Sequence, residues 1–579
     1  MTFSLRSSIS RSLAAGAVVL ASHAAVHAAD GRDPLRKIEH IVVIYQENHS
    51  FDNLFGGWEG VEGLNKAHVP QVDREGAILG CLPQNDVNLT SPTPLVATCS
   101  DPEHRIESQF RNVPFSIDRY IAAGDTTCLK PGDRADYGVA KGKGEAGGCT
   151  MDLDHRFYQE QYQIHGGRMD RYVAGSNAAG LAMGNYDTKN LPIYRYLHTA
   201  GHPRYVIADN FFQAAFGGSF LNHQWLITAR TPEWIDAVND GSSADQHSVV
   251  DANGMPKKSP LYSSALQEGL QDKALTASCA PAASRGATPP GVVCGNFVVN
   301  SIQPRAWPYD PRATSAIRLP SLTAPTIGDR LTMAGVDWAW YSGGWADAEG
   351  DRTQAGFSNT SGPACPSSAF AGSTWPKCPD KLFQFHHQPF NYYAAYAPGS
   401  EARKKHLRDE AEFIQLARSS GRDRCNLKAV SFVKPLGAEN EHPGYASEWA
   451  GNNHLVKLIK SVEESACAAN TMVIVTYDEF GGQADHVAPP GPGNSKGPYD
   501  QWGPGTRIPA LIIAPNLRHD FAVDHEEHDT TSILATIERR FGLLPLNGRD
   551  AAVKDLGTIF KARQGGIGAG REALKMVGK

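Results

Sequence analysis

After residue 28 the chain has no apolar run long enough to span a bilayer, so no helical membrane span is expected. It also has no long basic run. Its 61 acidic residues outnumber the 55 basic ones, giving a formal net charge of −6. That excludes a nucleic-acid binder driven by phosphate neutralisation. None of the ten cysteines forms a CxxC pair, and no internal repeat is evident. Ser219 is followed by Phe220-Leu221 and lacks the G-x-S-x-G elbow, which argues against a serine hydrolase built on that turn. No serine or cysteine opens an x-P-x-R pattern of the kind sulfatases modify. "HEEHD" at 525–529 falls one residue short of the H-E-x-x-H zinc helix.

The N-terminus reads as an export signal. Arg6 and Arg11 precede the short apolar "SLAAGAVVLASHAAVHA", and the small residues before Ala29 place the cleavage after Ala28. The mature protein is expected in the periplasm or the medium. Export makes the even cysteine count a set of structural disulfides, with sequence-near pairs such as Cys81–Cys99 plausible.

Apolar runs at 38–45, 336–341, 428–433, 471–477 and 508–514 read as strands. Helical patterns at 189–199, 219–229, 402–419, 447–468 and 530–541 lie between or after them. "TMVIVTY" and "IPALIIA" are continuously apolar, which suits strands buried on both faces of a parallel sheet. The fold class is therefore α/β, a mostly parallel central sheet flanked by helices. Pro/Gly-rich segments near 66–150, 231–325 and 345–380 read as loop-rich insertions. Residues 29–579 are read as one catalytic domain that carries them.

Ligands of open α/β sheets bind beyond the carboxyl ends of strands. Glu47, Asn48 and His49 follow the first strand; Asp478 and Glu479 follow the run at 471–477; Glu439, Glu441 and His442 follow 428–433. Acids converging on one point repel unless a cation lies between them, and this oxygen-rich set suits one hard divalent ion. Taken singly, each of these stretches also reads as an ordinary polar turn. In "FFQAAFGGSFLNHQ", Gly217 and Gly218 permit a tight approach and Ser219 opens a helix. Ser219 reads either as an N-cap or as a nucleophile in the positive potential of a helix start. His155, His386, His387 and His442 stand in polar-aromatic stretches and are candidates for holding phosphate oxygens or protonating a leaving group. His525 precedes the last helix and is a further candidate to face the site.

The stretches "IEHIVVIYQENHSFDNLFG", "DNFFQAAFGGSFLNHQ", "FQFHHQPFNYY", "ENEHPGYAS" and "VIVTYDEFGGQADHVAPP" follow one another in this order along the chain. Together they resemble the bacterial phosphoesterase family of secreted acid phosphatases and phosphatidylcholine-type phospholipases C. The resemblance implies an alkaline-phosphatase-like fold with a metal at the strand ends. It implies metal contacts from Glu47, Asn48, Ser219, Asp478 and Glu479, with Ser219 the nucleophile. It implies phosphate contacts from Asn48, His155 and His442, with His386 or His387 as a further pocket histidine; the sequence leaves open which of these two faces inward. Ser219, where the family's phospholipases commonly carry threonine, points to the acid phosphatase branch. The expected partners are small phosphate esters, without nucleic acid or stable membrane insertion. The alternatives are a phospholipase C-type phosphodiesterase acting on phosphatidylcholine and a secreted recognition protein with a dead site.

Overall fold

A computed structural model describes residues 33–84, 87, 95–121, 125, 148–232, 321–357, 383–421, 424–444, 446–491 and 497–565. The export signal read at 1–28, most of the insertion near 231–325 and parts of those near 66–150 and 345–380 lie outside the described residues.

Branched and aromatic runs form the centre. The strands are β1 (His40–Gln46), β2 (Tyr205–Ala208), β3 (Trp338–Ser342), β4 (Leu407–Asp409), β5 (Val430–Lys434), β6 (Thr471–Tyr477), β7 (Ala510–Ile513), β8 (Phe521–Asp524) and β9 (Arg563–Gln564). They join one sheet in the order β9-β8-β2-β7-β6-β1-β5-β3-β4. β6, β1, β5, β3 and β4 run parallel, while β7 is antiparallel to both its neighbours. β1 and β6 lie mid-sheet and are buried almost throughout, as two-sided coverage requires.

Helices pack around this sheet: α1 (Phe51–Leu54), α2 (Phe157–Ile164), α3 (Ser219–Thr228), α4 (Glu410–Arg418), α5 (Glu448–Glu463) and α6 (Thr531–Phe541). α6 begins and ends as read, with Thr530 at its N-cap and Gly542 at its left-handed stop. The single helix expected over 402–419 is instead a helix, an edge strand and a second helix. The break has a cause. Leu407 is fully buried beside Trp340 in the ladder, and Asp409 caps α4 while accepting the Ala346 N–H.

The excursion near 66–150 builds a small core of its own. Leu79, Leu82, Ile106, Phe110 and Ile117 pack with Tyr172, Leu181 and Phe480. Phe480 directly follows the acids after β6, so this second core adjoins the strand ends. Cys81–Cys99 is bridged as expected, and a second bridge joins Cys425 to Cys467.

Candidate active site

Register alone assembles half of the site. Gln46 and Tyr477 are partners at the ends of β1 and β6, so Glu47-Asn48 and Asp478-Glu479 leave the sheet side by side. The Asp478 N–H donates to Gln46 O (3.1 Å), and the Asn48 N–H donates to Asp478 Oδ1 (3.0 Å). On the other flank of β1, Ile44 pairs with Val433, so Lys434 closes β5 beside Glu47.

Ser219 comes from the far side, on α3. Gly217 has φ 90°, and a Cβ there would lie 2.6 Å from Phe157 N. Only glycine lets this turn pass so close to α2. Glu160 of α2 anchors the turn by accepting the Gly217 N–H (2.5 Å) and the Thr506 N–H (2.7 Å). Ser219 Oγ then donates within 3.2 Å of Glu47 Oε2 and 3.3 Å of Asn48 Oδ1. It sits in the first turn of a ten-residue helix, where backbone N–H groups lack intrahelical acceptors.

Imidazoles close the remaining sides. Asn48 Nδ2 lies 3.3 Å from His155 Nε2 and 3.1 Å from His442 Nε2. Both rings turn Nδ1 to a backbone carbonyl, of Leu153 (2.5 Å) and Pro443 (2.6 Å). With Nδ1–H donating there, each Nε2 offers a lone pair to the site. His387 Nε2 lies 3.0 Å from Glu47 Oε1. His386 instead packs against His387 and His223, with ring centroids 4.6 and 5.2 Å apart. Glu479 is partly engaged elsewhere: Oε2 accepts the Gly481 N–H (2.6 Å), and Oε1 is 3.6 Å from His155 Nε2.

The residues picked from sequence thus converge, and two more join them. His223, four residues beyond Ser219 on the same face of α3, puts Nδ1 3.7 Å from Asp478 Oδ2 and Nε2 3.9 Å from Glu47 Oε1. Its i+4 spacing from Ser219 was the available signal. Lys434 puts Nζ 2.5 Å from Glu47 Oε1. His525 does not join: its half-exposed ring pairs with Asp209 instead.

Burial and charge set the protonation pattern. Burial opposes ionisation of Glu47, but Lys434, His387 and His223 outweigh it and hold the group well below the usual carboxylate range. Burial and then Glu47 push Asp478 up to about 7. Burial and then Asp478 push Glu479 well above its ordinary value. Burial drives His155, His223 and His386 well below theirs, and His387 down to about 4.

Three carboxyl groups in one dry pocket are costly unless a cation compensates them. The donor set fits one. Glu47, His223 and Asp478 bring ligand atoms within 4.8 Å of one another. Asp478 Oδ2, Glu479 Oε1 and His223 Nε2 are buried without a hydrogen-bond partner. Oxygens of Glu47, Asn48, Ser219 and Asp478 are what a hard divalent ion selects.

A mostly parallel sheet with acids, a serine and imidazoles gathered at its strand ends is an α/β arrangement able to bind a phosphate ester. Residues 38–544 match the model of the Phosphoesterase family, and the chain belongs to that family. It is 23% identical to phospholipase C B of Mycobacterium tuberculosis over 556 residues, covering 91% of this chain and 78% of that protein. Phospholipase C A of the same bacterium is 31% identical over 157 residues, 23% of this chain and 29% of that one. The non-hemolytic phospholipase C of Pseudomonas aeruginosa is 26% identical over 225 residues, 33% and 31% of the two chains.

Proposed function

We propose that the protein is an exported acid phosphatase that hydrolyses phosphomonoesters through a Ser219 phosphoenzyme. The observation that carries this reading is the placement of Ser219 Oγ at the start of α3, against Glu47 Oε2 and Asn48 Oδ1. A divalent cation held by Glu47, Asn48, Ser219 and Asp478, with Glu479 beside them, would act as a Lewis acid and favour the ionised hydroxyl. The first-turn N–H groups of α3 and the Asn48 amide bind the equatorial phosphate oxygens. Ser219 Oγ forms the bond to phosphorus as the ester oxygen leaves. That oxygen takes a proton from Nε2 of His155 or His442, with His386 and His387 completing the imidazole wall of the pocket. Water then cleaves the phosphoserine and returns the serine hydroxyl. Because Nδ1 of His155 serves a carbonyl, its Nε2 donates only once protonated, and burial holds that ring well below its ordinary value, which supports a reading of turnover on the acid side.

A phosphate monoester offers one more unsubstituted oxygen than a diester to the Asn48 amide and the first-turn N–H groups of α3. Phospholipase C action on phosphatidylcholine is the second reading, favoured by the names of the relatives. Purified protein assayed with p-nitrophenyl phosphate and with phosphatidylcholine vesicles separates the two. The monoester is expected to turn over faster; phosphocholine release at a rival rate would reverse the order. Ser219→Ala is expected to lower kcat by more than about 10²-fold. Turnover kept near the wild-type rate would remove Ser219 from its role.

A further inference from the structure

Lys434 is fully buried, and its ammonium is completely engaged. Nζ lies 2.5 Å from Glu47 Oε1 and donates to the carbonyl oxygens of Tyr45 (3.0 Å) and Gln46 (3.3 Å). An ammonium has three donors, and three acceptors fix its place. It also makes the two oxygens of Glu47 unlike. Oε2 faces Ser219. Oε1 faces Lys434, His387 and His223.

That second side carries a donor set of its own. Glu47, His386 and His387 bring ligand atoms within 4.8 Å of one another. Both ring nitrogens of His386 are buried without a hydrogen-bond partner, and Nε2 of His387 lies 3.0 Å from Glu47 Oε1. A carboxylate among imidazoles is the chemistry that holds zinc or cobalt. The lysine charge stands within this group.

We infer that Lys434 is a positioning residue that takes the place of a second metal ion. Its ammonium reserves Glu47 Oε2 for the Ser219 side and bars a divalent cation from the imidazole side. This inference rests on the reading that Glu47, Asn48, Ser219 and Asp478 hold one divalent ion. Lysine serves here because its charge is compact and its three donors match one carboxylate and two carbonyls.

The test is a cobalt count. Full-length protein is stripped with chelator and dialysed against excess free Co²⁺. Bound metal is then measured by mass spectrometry, and the visible spectrum is recorded. Wild type is expected to hold one cobalt per chain. K434M is expected to hold two, with stronger visible absorption from imidazole-bound cobalt. K434R, which keeps the charge, is expected to return the count to one. K434Q, whose amide can still donate to the carbonyls, replaces K434M if the latter does not fold. Two cobalt ions in wild type, or one in both wild type and the neutral variant, would overturn the inference while sparing the one-metal reading. A wild-type chain that binds no cobalt would instead sink the metal reading itself, and this inference with it.

Discussion

Asn48 adopts a left-handed backbone, φ 59°, which costs most residues about 1–2 kcal/mol and which asparagine tolerates better than others. The conformation turns the chain sharply after β1 and lets one side chain serve two masters. Oδ1 meets Ser219, and Nδ2 meets the Nε2 atoms of His155 and His442. In Asn48→Asp the shape and backbone tolerance persist, but a carboxylate oxygen faces two imidazole lone pairs. The expected result is a folded protein with kcat/KM for p-nitrophenyl phosphate lowered on the order of 10²-fold. Unchanged kinetics would show that the amide donors are idle. Several such residues could be read from sequence because a polar side chain straight after a buried apolar strand is conspicuous. Glu47, Asn48 and Asp478 were visible in that way, and Ser219 was marked by its two glycines. His223 and Lys434 were not. His223 stands between Asn222 and Gln224 and reads as one of three successive polar residues in its helix, and Lys434 follows the run at 428–433 as any solvated strand-end lysine would. Only helix phase and strand register turn them inward.

Loops between elements hold the site as firmly as the elements do. Gly481, at φ 63°, follows the acids of β6, and a Cβ there would sit 2.1 Å from Asn48 O. Backbone cannot yield as a side-chain tip can, so Gly481→Ala should push the two strand-end loops apart. We expect a lower Tm together with an activity loss of roughly 10²-fold, as small displacements of reacting groups produce. Loss of stability with full specific activity would show that the contact serves only the fold. Beside these loops, α5 opens on a buried acid. Glu448 Oε2 lies 3.0 Å from His49 Nε2, and burial pushes the group up to about 8. Folded protein therefore keeps a proton that the unfolded chain sheds above its ordinary value near 4.5. By linkage the contribution is favourable below that value, falls as pH rises toward about 8, and is flat beyond. Thermal unfolding of Glu448→Gln should accordingly decline less between pH 5 and 8 than wild type does; parallel curves would contradict the shift. At this scale the long apolar runs were legible, because burial on both faces leaves an unbroken signature. The short strands Tyr205–Ala208 and Phe521–Asp524 carry too few residues to stand out. The run at 402–419 misled because its helical pattern hides an edge strand that only the neighbouring β3 selects.

Across the whole molecule, a parallel sheet must send the chain back over itself between strands, and each return is a place where it can open. α4 precedes β5 and α5 follows it, and Cys425–Cys467 ties these two returns together across a separation of 42 residues. The strand between them, β5, ends in Lys434 and leads into His442. Closing a loop of this size restricts the unfolded chain by about 4 kcal/mol in the chain-entropy account. None of the described cysteines is free, which fits an oxidising compartment and an exported protein. Replacing both cysteines by serine should thus lower the unfolding free energy by roughly 2–4 kcal/mol, because native strain and residual unfolded structure trim the ideal figure. Since the bridge lies at the β5 entry and α5 exit rather than at the strand ends, the folded double variant should keep its kcat. Its half-life near the wild-type Tm should shorten instead. Chemical denaturation of oxidised wild type against the double variant measures the difference. Equal midpoints and slopes would mean that packing of α4 on α5 already secures this part of the sheet without the bond.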